Sequence, residues 1–100
     1  MNNFVQLSQE ELAHILAALP TWRAEDGKLK ASFTFKDFKT AFAFITAVAD
    51  KAEEMNHHPT WTNTYNKVSF AFSTHDADNK ITNLDTDMAQ FISDAAKKFQ

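Results

Sequence analysis

The chain is 100 residues long, enough for one ordinary domain and too short to carry a separate cofactor-binding module beside a catalytic one. Its formal charge of −3 comes from scattered charges without the basic footprint of a nucleic-acid binder, and the absence of cysteine excludes disulfide frameworks, thiolate metal sites and cysteine nucleophiles. Ten phenylalanines supply large buried areas for a small core, and any that stay outside are material for a subunit contact.

The amino terminus, Met1-Asn2-Asn3-Phe4, has no basic segment leading into an apolar run, and no stretch approaches membrane-spanning length. The expectation is a cytoplasmic protein folded as a single domain over residues 1–100. Ser8 and Glu11 form a capping box, after which Leu12, Ile15, Leu16 and Leu19 recur on one helix face; Pro20 marks the end of this first helix. From Trp22 to Lys36 the period changes to two, with Leu29, Ala31, Phe33 and Phe35 on one side and Lys28, Lys30, Ser32 and Thr34 on the other. Asp26-Gly27 tolerates the positive φ angles of a tight hairpin, so residues 21–25 are expected to pair with this strand.

Asp37 is placed to cap a second helix whose stripe comprises Phe38, Ala41, Phe42, Ile45, Val48, Ala49 and Ala52, leaving Phe44 off the stripe and available for a subunit contact. That helix should stop around Met55 to His57, because Pro59 disfavours a helical His58. Trp61 to Tyr65 and Val68 to Ser73 read as a second hairpin turning at Asn66 and Lys67. Thr82 and Asp85 make another capping box, opening a helix lined by Met88, Phe91, Ile92, Ala95, Ala96 and Phe99. The order α-β-β-α-β-β-α predicts an α+β fold, a four-stranded antiparallel sheet with three helices on one face.

Three of the four histidines fall outside these stripes: His57 and His58 at the end of the second helix, and His75 where the last strand leaves the sheet. Imidazoles exchange protons near neutral pH, so histidines gathered at one cleft suit general acid-base catalysis. Glu53 lies one helical turn before His57, within reach of a hydrogen bond to it. Asp85 is better accounted for as a capping carboxylate than as a reacting group, Trp61 is as readily core as ligand wall, and His14 belongs to a solvated helix face. Glu53, His57, His58 and His75 are residue types that zinc accepts, but adjacent histidines diverge and the His-Glu-x-x-His arrangement is absent, so no metal site is expected. With Gly27 the only glycine, phosphate-binding glycine loops and serine-nucleophile elbows are missing too.

An ordered string runs through the second half: Ala52-Glu53, His57-His58-Pro59, Trp61, Asn63, Tyr65-Asn66-Lys67-Val68, Ser73-Thr74-His75, then Asp85 and Ala89. With Phe33-Thr34-Phe35 and Asp37-Phe38 before it, this pattern closely resembles the pterin-4a-carbinolamine dehydratase family. The resemblance implies a hydro-lyase without a cofactor that dehydrates a small-molecule pterin substrate, 4a-hydroxytetrahydropterin, to quinonoid dihydropterin in tetrahydropterin recycling. By analogy His57 and His75 are the acid-base groups, His58 holds the ring, and Glu53, Trp61 and Asp85 support the site. It also implies a homodimer or homotetramer, and an alternative role as a non-enzymatic dimerisation cofactor. Two departures stand out. Asn56 occupies a position where many relatives carry aspartate, and the Asp78-Asn79-Lys80 turn is one residue longer and lacks the family's glycine, although asparagine adopts positive φ nearly as glycine does.

Overall fold

A computed structural model describes residues 3–100. Helix α1 (Gln9–Ala17) is followed by the hairpin β1 (Arg23–Glu25) and β2 (Lys28–Thr34), helix α2 (Phe38–Met55), the hairpin β3 (Trp61–Thr64) and β4 (Lys67–Phe72), a 3-10 turn over His75–Ala77, and helix α3 (Asn83–Phe99). This is the expected α-β-β-α-β-β-α order. The strands form one antiparallel sheet in the order β1-β2-β4-β3, so the two hairpins join through the long pairing of β2 with β4, from Leu29 opposite Phe72 to Thr34 opposite Lys67. That register puts Leu29, Ala31, Phe33, Val68, Phe70 and Phe72 on one face, where the helices cover them.

Short-range signals set the element boundaries. Ser8 and Thr82 each close a capping box, with Glu11 and Asp85 respectively, and Asp37 caps α2 by accepting from the Thr40 amide at 2.8 Å. Asp26 and Gly27 both take positive φ, which suits the twist of the first hairpin. The second hairpin turns at Tyr65-Asn66, one residue earlier than its sequence suggests, with Tyr65 at φ 52° and Lys67 already paired in β4. Asp78 and Asn79 are each at φ 60°, so the turn without glycine uses the residue types that accept the left-handed region most readily.

The core is built on aromatic rings. Phe44 is fully buried, its ring centroid 4.7 Å from that of Phe35 and about 6 Å from those of Phe33, Phe70 and Phe99. Trp22 packs against Phe33, Phe70 and Phe72 while its indole N–H donates to Ser93 Oγ at 2.8 Å, which satisfies its one polar atom. Two expectations for α2 are therefore corrected. Phe44 belongs to the core and is not available for a subunit contact, whereas Phe38 and Phe42 are 48% and 54% exposed and lie side by side with centroids 5.9 Å apart. The buried set Ala41, Phe44, Ile45, Val48 and Ala52 is itself at helical spacing. The sheet covers only part of a broad apolar surface, and it takes the edge that carries Phe44.

Phe44→Ala is expected to destabilise the fold by about 3–5 kcal/mol through lost burial and the cavity left behind, as read from urea unfolding midpoints. A second expectation concerns acid. Hydrogen bonds from the Thr40 hydroxyl, and then from its amide, hold the Asp37 carboxyl below its ordinary value of 3.8. A depressed folded value means that this contribution is complete above the unfolded value and is lost as pH falls through the folded one. Urea melts taken from neutral pH into the carboxylate range should lose stability less steeply in Asp37→Asn, which keeps a capping acceptor but cannot protonate, than in the parent chain.

Candidate active site

Three chain ends meet at one corner of the sheet: the end of α2, the exit of β4 and the start of α3. Asn56 ends α2 in the left-handed region at φ 50°, and the next amide, from His57, bonds back to the Ala52 carbonyl at 3.0 Å. This closure takes His57 off the helical track and turns its ring inward, where it is 7% exposed and meets Phe72 edge to face. His75 follows Thr74 out of β4 into the 3-10 turn, which is closed by the Asp78 amide on the His75 carbonyl and the Asn79 amide on the Thr74 carbonyl.

Asp85 joins the three. Its side chain is completely buried; Oδ1 meets His57 Nε2 at 2.7 Å, while Oδ2 accepts from the Thr74 hydroxyl at 2.7 Å and from the Thr82 amide at 2.9 Å. Because the Thr74 hydrogen is spent on Asp85, the 2.6 Å contact between the Thr74 and Thr82 hydroxyls has Thr82 as donor, and the Thr82 oxygen accepts in turn from the Leu84 amide. A carboxylate oxygen only accepts, so its contact with His57 puts the ring hydrogen on Nε2 and leaves Nδ1 as the acceptor of the neutral imidazole. No buried side-chain nitrogen or oxygen among the described residues lacks a partner, which is the condition for a buried polar network to hold a single geometry.

The outcome for the supporting carboxylates differs from the sequence reading. Glu53 pairs with His58, not His57, with Oε2 to Nε2 at 2.6 Å, because the left-handed Asn56 removes His57 from the i, i+4 position and brings the following ring back over the helix end. Both partners are more than half exposed, so this pair orients the ring and adds little to stability. Asp85 does cap α3, yet the same carboxylate also holds His57; a single group has both roles.

A cavity of about 230 Å³ lies at this corner, lined by His57, His58 and His75 together with Ser73, Thr74 and Leu84, among others. All three histidines singled out in the sequence thus reach one space, His57 buried and the other two exposed. Trp61 is not among the lining residues; it starts β3 half-buried with its ring 6.1 Å from that of Phe70. Thr74 and Thr82 were missed as site residues. Thr82 had signalled only a helix cap, and nothing local to Thr74 shows that its hydroxyl meets a carboxylate eleven residues away. Among the described residues, no three His, Cys, Asp or Glu side chains are grouped so as to hold a metal ion, and no helix is long and apolar enough to cross a membrane.

Known proteins resemble this chain in sequence and in fold. The sequence profile described as "Pterin 4 alpha carbinolamine dehydratase" matches residues 5–95. A Burkholderia vietnamiensis protein named "Putative pterin-4-alpha-carbinolamine dehydratase" is 49% identical over 89 residues, covering 87% of this chain and 86% of its own length. A Synechococcus protein with the same name is 46% identical over 86 residues, covering 86% and 91%. Among solved structures, a Brucella melitensis protein described as a transcriptional coactivator/pterin dehydratase superposes with a TM-score of 0.85 at 40% identity, covering 92% of this chain and 99% of that one. With a family profile spanning nearly the whole chain and relatives identical at almost every second position, this chain belongs to the pterin 4 alpha carbinolamine dehydratase family.

Proposed function

We propose that the protein dehydrates 4a-hydroxytetrahydropterin to quinonoid dihydropterin and water, by histidine general acid-base catalysis, in the recycling of tetrahydropterin. The observation that carries this reading is the meeting of His57, His58 and His75 at one cavity, in a chain that belongs to a family named for this reaction. Hydroxide leaves C4a poorly, so the step needs a proton delivered to the departing oxygen and another removed from N5 as the N5 lone pair closes the C4a–N5 double bond. Each proton has a candidate. The Nδ1 of His57, left as acceptor by the Asp85 contact, takes the N5 hydrogen, and the resulting imidazolium is stabilised by that buried carboxylate. His75, exposed at the cavity rim, gives its proton to the leaving hydroxyl, and His58, steadied by Glu53, holds the bicycle in place.

The Brucella relative's description as a coactivator favours a second reading, a protein-interaction role alongside or in place of catalysis. Phe38 and Phe42 on α2 offer the apolar surface for such a contact or for self-association into a homodimer or homotetramer. Retention of all three cavity histidines favours the enzyme.

Purified protein should accelerate quinonoid product formation from freshly generated carbinolamine, with a rate that chelator leaves unchanged. His57→Ala and His75→Ala are each expected to slow turnover on the order of 10²- to 10⁴-fold, while His14→Ala on the exposed face of α1 has little effect. Equal rates across the three variants would remove histidine catalysis from consideration. Asp85→Asn presents an amide where three donors now meet two acceptor oxygens; it should cost about 1–3 kcal/mol of stability and, separately, displace the pH profile of kcat through its effect on His57. Calorimetry reads the first effect and rate-pH curves the second; a profile identical to the parent's would show that the carboxylate serves the fold alone.

A further inference from the structure

A second cavity, of about 350 Å³, lies against the first, and His58, Ser73 and His75 line both. Beyond these shared residues it is walled by Lys28 at the start of β2, by Thr60 ahead of β3 and by Asn79 in the turn after His75. The first cavity alone falls below the range of roughly 300–1,000 Å³ typical of small-molecule sites, whereas the pair falls within it.

The lining of this second space has an unusual charge balance for a chain whose net charge is −3. Its lining contains no carboxylate; Lys28 carries positive charge and His75 can acquire it, while His58 is matched by the Glu53 carboxylate behind it. The neighbouring cation Lys30 is already paired with Glu25 at 3.1 Å and Asp26 at 3.2 Å. The Lys28 ammonium has no ion pair or side-chain hydrogen bond among the described residues, so it is available to a ligand. Asn79 is held in position by its backbone bond to Thr74, with its side-chain amide as a further donor, and Thr60 and Ser73 add hydroxyls.

Pterin connectivity matches this layout. The C6 substituent begins two bonds from N5 and three from C4a, so a bicycle with C4a and N5 among the histidines is able to carry it into the adjoining cavity, which His58 and His75 also line. We propose that the second cavity receives the C6 substituent and selects one bearing an anionic group, a phosphate in particular, through the Lys28 ammonium and the Asn79 amide. The proposal rests on the dehydratase reading above, and it deepens that reading from a reaction to a substrate class.

The test compares kcat/KM for two freshly generated carbinolamines, one with a methyl group at C6 and one with a phosphorylated hydroxyalkyl chain. The parent protein should favour the phosphorylated compound by about tenfold, the scale of one charge-assisted hydrogen bond. Lys28→Gln should bring that ratio close to one, and Lys67→Gln, a lysine of β4 outside the cavity, should leave the ratio intact. The ratio is the readout, so a change in overall activity does not obscure it. Equal use of the two compounds by the parent, or a preference that survives Lys28→Gln, overturns the subsite while leaving the reaction standing. Failure to accelerate either compound overturns the dehydratase reading and this inference with it.

Discussion

The buried carboxylate of Asp85 is the contact on which the corner of the molecule depends. It sits in the first turn of α3, where the helix dipole and the exposed amides favour negative charge, and it spends both oxygens on donors from three separate segments. A buried carboxylate is costly unless hydrogen-bonded, and here both oxygens are engaged, by three donors in all. One group thereby ties the end of α2 to the exit of β4 and the start of α3, and it fixes which nitrogen of His57 faces the cavity. Loss of any one of its three partners leaves acceptor capacity unmet in a dry environment, so the arrangement behaves as a unit.

The rest of the fold presents this corner rigidly. The β2–β4 pairing joins two hairpins that are distant in sequence, and the helices close over one face of the resulting sheet. Phe44 of α2 interlocks with Phe33 and Phe70 of the sheet, and Trp22 packs against the same two rings, so α2 is seated directly on β2 and β4. The candidate site is thus mounted on the termini of regular elements, the arrangement that holds side chains to a fraction of an ångström. The same termini supply the exposed partners. His58 and His75 stand at the rim because the chain leaves its helix and its strand there.

Burial and exposure divide the histidines into two kinds. His57 is shielded and its tautomer is set by a carboxylate, which leaves Nδ1 as its acceptor. His58 and His75 are solvent-accessible and border both cavities. The lining of the second cavity, which includes Lys28 and His75 and no carboxylate, contrasts with the acidic balance of the whole chain. Local charge at a cleft, more than net charge, governs what is drawn into it.

Sequence alone determined the order of elements, their caps and the identity of the histidines, because capping boxes, alternation and helical periodicity act over a few residues and leave their mark in consecutive letters. Ser8 with Glu11, Asp37, and Thr82 with Asp85 all cap as their spacing implies. Tertiary structure decided the rest. Phe42 and Phe44 lie roughly 200° apart on an α-helix; which of them meets the sheet depends on how α2 rotates against rings from β2 and β4, contacts that no local pattern encodes. Likewise, Glu53 pairs with His58 because a left-handed residue at 56 breaks the helical spacing, and Asp85 holds His57 because two segments 28 residues apart converge. Local rules specify which groups are presented, and only packing between distant segments specifies which of them meet.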